Sequence, residues 1–453
     1  MPSLTHMPAP QQIPSHVWRP GLRTHSGRRV GSTPDLWLAM RSLMSERSRG
    51  FAIVFILVAV PLLIAAITHV VRDDAALDLR IYRDAVLATF RDGRPLYGTS
   101  HEAEGLPFTY PPFAVVFLAP LAAIPIGIGA AALVLASLAL AITVYLLIDA
   151  NIPLGEKVRA QVGTLIAATL VTDPFRLIVG LGQIDALLAL LVLVDAFVFP
   201  RPIRGLGMGI AMAVKLTPVV FLAYLAWQKQ WRSIAVAVAA AAVCCALAEV
   251  LLPHSNADYA QWLLTHAESI GRFDFVSNQS VRGLVARVPG LAAHTSWWWA
   301  GGCVIAVGLA AIALWKLSPR DFVDQLLAFA VVSVTGLLVA PIAWSHHWTV
   351  VMIVCVFAVA SPDMRVRTAS WILWAVALCG LFWFAGGPPV GFIHGWLPSL
   401  LVSNALVLAA VGWLFMCALG TNHQHGSTGL PSSNGQHQAA EHRGQHHGAG
   451  PSR

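Results

Sequence analysis

The stretch GLGMGIAMAVKLTPVVFLAYLAW carries a lysine, Lys215, about ten residues from either end of an otherwise apolar run. An ammonium group there is expensive in lipid, so it needs a partner, a cavity or a function. Other polar clusters stand out in a chain whose charged fraction is only 11%. LDLRIYRDA holds Asp78, Arg80, Tyr82 and Asp84, and LPFTYPPF holds Tyr110. TDPFRLIVGLGQID holds Asp173, Arg176, Gln183 and Asp185. FDFVSNQSVRG contributes Asn278, Gln279 and Arg282, and APIAWSHHW contributes His346 and His347. These side chains accept protons, carry positive charge or hydrogen-bond hydroxyl groups.

Each also has a plainer account. Asp78 taken alone reads as a solvated loop acid, and Asp173 before Pro174 as a helix start. The two histidines, flanked by Trp344 and Trp348, read as part of an interfacial aromatic belt. What separates these accounts from a functional one is whether the clusters share a face, and that depends on the elements that carry them.

The chain has 453 residues, 57% of them apolar, and a mean hydropathy of +0.68. Soluble domains run about half apolar and about a quarter charged, so lipid is the solvent implied. Runs free of Asp, Glu, Lys and Arg reach the roughly 20 residues that span a bilayer core. A barrel would show short alternating segments instead, so the expected fold is an all-α integral membrane protein. The net charge of +7 fits arginines at cytoplasmic helix ends better than a nucleic-acid partner, and none is expected. The six cysteines all lie in apolar runs and read as small buried hydrophobes without a disulfide framework.

Residues 1–49 are polar and read as a disordered cytoplasmic tail without a cleavable signal, PDLWLAMRSLM lying on the membrane surface. Residues 420–453 read as a disordered His-rich tail. Between them, residues 50–419 form the membrane domain. Plausible spans are Gly50–Val71, Ile128–Ile148, Ala160–Ile178, Ala186–Phe199, Ile234–Leu252, Trp297–Trp315, Phe322–Ala340, Thr349–Ala360, Thr368–Ala385 and Leu400–Leu419. Two more complex pieces, one before Ile148 and one around Lys215, bring the expectation to roughly 11–12 transmembrane or half-spanning helices.

Charge orients them. Seven arginines against two acids hold the amino-terminal tail inside. The loop from Arg72 to Pro112, with seven acids and five arginines, then lies outside. Making Phe113–Ile124 a short juxtamembrane helix keeps Lys157, Arg159, Arg201 and Arg204 inside. Keeping Lys229 and Arg232 inside requires the segment around Lys215 to enter and return as two half-helices. Both termini are then cytoplasmic, and all five polar clusters belong to the outer side.

The blocks LDLRIYRDA, LPFTYPPFAVVFLAPL, GLGQIDALLALL, GMGIAMAVKLTP, SNQSVRG and APIAWSHHWTVV occur in the order seen in glycosyltransferase family 87. The chain from about Gly50 to about Leu419 resembles these actinobacterial mannosyltransferases, FTYPPF and SHHW being the most specific blocks. The resemblance implies a GT-C fold in the cell membrane with its active site at the extracytoplasmic face. It implies a polyprenyl-phosphate mannose donor and a lipid-linked mannoside acceptor, namely a phosphatidylinositol mannoside, lipomannan or lipoarabinomannan. It also implies an α-1,2 linkage in the product. Typical members often have Thr before the catalytic carboxylate, where this chain has Leu77.

On this resemblance Asp78 is the catalytic base. Lys215, His346, His347 and Arg176 are candidates for binding the donor phosphate. Asp84, Tyr82, Tyr110, Gln183, Asn278, Gln279 and Arg282 are candidates for the sugar and acceptor. A lipid-phosphate donor does not demand a nucleotide-sugar metal, so neither metal nor other cofactor is expected. Two alternatives stay open. One is a GT-C transferase of another polyprenyl-linked sugar such as arabinofuranose. The other is a lipid or sugar transporter, against which stands the lack of a repeat between the two halves.

Overall fold

The computed structural model describes residues 49–71, 76–98, 100–101, 105–266, 270–291, 294–385 and 396–420. Both expected tails and the GGPPVGFIHG loop lie outside the described residues, apart from single residues at the tail boundaries.

Helix α1 spans Arg49–Val71 and α2 spans Leu77–Phe90. A two-stranded antiparallel hairpin, β1 (Ser100–His101) and β2 (Leu106–Pro107), leads to α3 (Phe113–Ala122) and α4 (Ile126–Asn151). Next come α5 (Glu156–Thr169), α6 (Asp173–Leu181), α7 (Asp185–Phe197) and α8 (Leu206–Val214). A 3-10 turn at Thr217–Val220 separates α8 from α9 (Phe221–Trp227), and α10 (Trp231–Leu251) and α11 (Ser255–Thr265) follow. The chain continues through α12 (Val281–Arg287), α13 (Thr295–Lys316), α14 (Phe322–Val339), α15 (Val351–Ala360), α16 (Met364–Cys379), α17 (Trp396–Ser403) and α18 (Ala405–Leu419).

Among the described residues, four helices, α4, α10, α13 and α14, are long and apolar enough to cross a membrane. The count reaches six if α5–α6 and α17–α18, bent by 40° and 69°, each form one span. This is a multi-pass helical membrane protein. Two of the expected spans form helices too short to cross the hydrocarbon core alone: Ala186–Phe199 becomes α7, with 13 residues, and Thr349–Ala360 becomes α15, with 10. At about 1.5 Å per residue, ten residues cover roughly half of an approximately 30 Å hydrocarbon core. Phe113–Ile124 is largely the short α3, and the Pro125 that precedes α4 interrupts the long apolar run.

Helix α13 shows which surface meets lipid. Val304, Ile305 and Val307 are largely exposed, and Trp297 and Trp315 stand out near its two ends. Water rarely tolerates such a continuous apolar strip, whereas lipid does, with tryptophans at its two boundaries.

The bundle interior instead brings backbones together through small residues. On α8, a Cβ added at Gly209 would come within 2.3 Å of the Ala237 carbonyl oxygen on α10. Asp195, fully buried near the end of α7, accepts from the Gly205 N–H at 2.9 Å and the Gly207 N–H at 3.3 Å. These are donors left over at the start of α8, and a carboxylate there suits the positive end of the helix. Asp195 therefore acts structurally, anchoring the half-helix whose other end carries Lys215.

Candidate active site

Helix α8 stops at Lys215 because Pro218 lies three residues on, and the backbone turns extended at the lysine (φ −147°, ψ 138°). Lys215 is thereby delivered at a break between two half-helices. Its ammonium donates to Asp185 Oδ1 at 2.7 Å and lies 3.1 Å from His347 Nε2. It also stands 5.1 Å from the centre of the Tyr110 ring, within cation–π range. Lys215 and Asp185 are both buried, so each charge answers the cost of burying the other.

His346 and His347 come from a 3-10 turn, Ser345–His347, between α14 and α15 and outside both. Pro341 ends α14, and the backbone pairs Trp344 with Asn278. His346 Nε2 lies 3.8 Å from Asp185 Oδ2. Burial pushes the His346 imidazole down to about 4, and His347 also titrates well below its ordinary range. Both rings are neutral at pH 7, leaving Lys215 as the cation of this group.

Asp78 sits in the first turn of α2, and Tyr82, four residues on, shares its face. Gln183 Nε2 donates to Asp78 Oδ2 at 2.7 Å. The Tyr82 hydroxyl donates to Gln183 Oε1 at 2.7 Å, and the Tyr110 hydroxyl reaches the same oxygen at 3.1 Å. The two phenols are 2.9 Å apart. Burial pushes the Asp78 carboxyl up to about 6; the Gln183 hydrogen bond and the Lys215 charge pull it down, while Asp185 adds repulsion.

One turn joins the two halves of the site. Gln183 lies on the link between α6 and α7, which begins at Gly182 in the left-handed region (φ +68°), and Asp185 opens α7 two residues further on. A Cβ at Gly182 would come within 2.7 Å of Leu79 Cβ and 3.1 Å of Ala76 Cβ. Ala76 donates its N–H to the Gly180 carbonyl at 3.0 Å, docking the start of α2 on this turn. Glycine is what lets the helix bearing Asp78 come so close.

Beside Asp185 and His347, the two residues that meet the Lys215 ammonium, lies a cleft of about 100 Å³. Leu188, Val192, Phe221, Leu337 and Ile353 supply apolar walls, and Asp185 and His347 are also in its lining. Asp185 Oδ2, His346 Nε2 and His347 Nδ1 are buried with no hydrogen-bond partner among the described residues. Leaving such groups unsatisfied costs about 1–3 kcal/mol each, which a polar ligand at the cleft end would offset. Ligating atoms of Asp185, His346 and His347 lie within 4.8 Å of one another. The Lys215 ammonium already engages two of these residues, and its charge opposes a second cation there.

The remaining candidates are placed elsewhere. Arg176 is exposed and 4.0 Å from Asp173, whose carboxylate accepts from Trp383 Nε1 at 2.8 Å. Asp84 lies about a third of a turn round α2 from Asp78 at roughly 100° per residue. Asn278 spends its amide on Phe273, Pro341 and Ala343 backbone groups at 3.0, 3.3 and 3.0 Å. Gln279 does the same with Val276, Ser403 and Val407, and both residues are fully buried. The Arg282 guanidinium stacks on the Phe273 ring at 3.6 Å. Asp185 is the residue that the sequence-based site set lacks; the acid two places after Gln183 in GLGQID was its only signal.

Membrane-length helices, with a buried lysine–carboxylate pair beside an apolar cleft in their interior, define a polytopic membrane protein with a polar centre. The chain belongs to glycosyltransferase family 87, whose model matches residues 108–341. It is 30% identical over 319 residues to a polyprenol-phosphate-mannose-dependent alpha-(1-2)-phosphatidylinositol mannoside mannosyltransferase of Mycobacterium tuberculosis, covering 66% of this chain and 74% of that relative. A protein of the same description from Mycolicibacterium smegmatis is 31% identical over 297 residues, covering 60% of this chain and 67% of the relative. A polyprenol-phosphate-mannose-dependent alpha-(1-2)-phosphatidylinositol pentamannoside mannosyltransferase of Mycolicibacterium smegmatis is 27% identical, covering 70% of this chain and 78% of its own length. No solved structure matches.

Proposed function

We propose that this protein transfers mannose from polyprenyl-phosphate mannose to a lipid-linked mannoside at the extracytoplasmic face of the cell membrane, making an α-1,2 linkage. Family membership and the relatives' activities support the reaction class. The observation that carries the reading is the placement, by one turn, of an amide-held carboxylate beside a buried lysine at the end of an apolar cleft.

In this reaction Asp78 takes the proton of the acceptor hydroxyl. The hydroxyl oxygen attacks the anomeric carbon, and the carbon–oxygen bond to phosphate breaks with its electron pair leaving on the phosphate. A β-linked donor gives an α product. General-base catalysis and charge stabilisation are what this step requires. Lys215 supplies the positive charge for the leaving phosphate, with His346 and His347 as hydrogen-bonding neighbours and Asp185 holding the lysine in place. The cleft takes the first part of the polyprenyl chain. Arg176 stands further out, where a headgroup enters, and Tyr110 borders both base and lysine. Asp84 and Arg282 remain candidates for the acceptor. Asn278 enters as a support of the segment leading to the histidine turn, and the Gln279 side chain as a tie to Ser403 and Val407.

The test is to incubate membranes containing the protein with radiolabelled polyprenyl-phosphate mannose and a panel of mannoside acceptors. The expected result is label in an α-1,2-mannosidase-sensitive product. Label transfer only from another polyprenyl-linked sugar, such as arabinofuranose, would replace mannose in this reading.

A further inference from the structure

We infer that Gln183 is a positioning residue for this reaction: its amide, braced at Oε1 by Tyr82 and Tyr110, holds Asp78 by Oδ2 and leaves Oδ1 for the acceptor's proton. The inference rests on the mannosyl-transfer reading above.

The hydrogen bonds assign each end of the amide. Phenol hydroxyls meet Gln183 Oε1 at 2.7 and 3.1 Å, while Nε2 meets Asp78 Oδ2 at 2.7 Å. A flipped amide would set its carbonyl oxygen against the carboxylate, acceptor against acceptor, which is favourable only if Asp78 carries a proton. The ionised carboxylate, which only accepts, therefore selects the orientation with Nε2 towards Asp78, and the two phenols donate to the Oε1 that this leaves facing them. Gln183 is buried, and two phenols and one carboxylate occupy most of its hydrogen-bonding capacity, leaving little for a sugar hydroxyl. No other hydrogen bond to the Asp78 carboxylate occurs among the described residues, so Oδ1 is not committed to the protein.

The charged and titratable groups acting on Asp78 are Lys215 and Asp185 from the neighbouring half-site, together with Tyr82 and Tyr110. Of the helices against α2, α3 carries no titratable group, α4 carries Tyr145 and Asp149, and α6 carries Asp173 and Arg176. Gln183 is the direct donor to the carboxylate, and Gly182 and Asp185 on the same turn fix its distance from Lys215.

The test measures transfer against pH for the wild-type chain, Gln183→Leu and Tyr82→Phe, with donor and acceptor varied separately. Gln183→Leu removes the donor that favours the ionised form, so the acid limb rises by about one pH unit and kcat falls, with donor KM unchanged. Tyr82→Phe keeps the ring and removes one of two hydroxyls on Oε1, so the limb moves the same way by less. Tyr82→Phe also serves where Gln183→Leu fails to fold. An unshifted acid limb in the folded variants, with only acceptor KM raised, would make Gln183 a sugar ligand and overturn the inference alone. A wild-type chain that transfers nothing removes both the reading and the inference.

Discussion

Lys215 and Asp185 form a buried ion pair, Nζ to Oδ1 at 2.7 Å, between a half-helix break and the first residue of α7. Neither group is held by local sequence: they are 30 residues apart.

Removing one partner strands the other. Lys215→Ala should destabilise the protein by about 3–5 kcal/mol, the usual cost of an uncompensated buried charge. Thermal unfolding in detergent measures it. The double variant Lys215→Met/Asp185→Leu should regain most of that stability and still transfer no sugar. Transfer by the double variant at the wild-type rate would remove Lys215 from the phosphate site.

Asp78 is ionised above about pH 6, because burial raises its carboxyl. A base works only when ionised, so kcat/KM should fall as pH drops through about 6 rather than near 4. The group's effect on folding has the opposite sign. The folded state holds this proton more tightly than the unfolded chain does, so the contribution favours folding at low pH and is lost as pH rises through about 6. Asp78→Asn should cost on the order of 10²–10⁴ in rate, whereas Asp84→Asn keeps measurable turnover. A dead Asp84→Asn beside an active Asp78→Asn would transfer the base assignment.

Gly182→Ala probes the turn that joins the two halves of the site. Its φ of +68° and the 2.7 Å approach to Leu79 Cβ both penalise a methyl group. The left-handed backbone alone costs about 1–2 kcal/mol. The start of α2 must move away, so transfer should fall more than the melting temperature would suggest. Comparing both quantities in the same preparation checks this.

On the proposed topology, exposed Asp92 lies outside and exposed Lys229 and Glu156 lie inside. Single cysteines at these positions, treated in intact cells with an impermeant thiol reagent, should label at 92 and stay unlabelled at 229 and 156. Labelling at 156 would mean that residues 113–148 cross the membrane twice.

Composition and patterning alone determined that this chain is helical and lives in lipid, because the cost of an unpaired backbone in hydrocarbon leaves little choice. They also singled out Lys215, since an ammonium in an apolar run demands an explanation, whereas Asp78 stood out only through the family resemblance of the block that contains it. The short α3 was legible from the charge balance of the flanking loops, and the break at Lys215 from that balance and Pro218 beside it. What Lys215 touches was not. Its partner Asp185 is an ordinary helix-start acid until folding brings α7 against the break. Gln183, Asn278 and Gln279 share amide chemistry and look alike as candidates. Only the tertiary structure separates them: Gln183 faces a carboxylate and two phenols, while the other two face backbone groups. The reason is directional. A hydrogen-bonding side chain's role is set by which partners lie within about 3 Å of it, and those partners come from segments far apart in the chain.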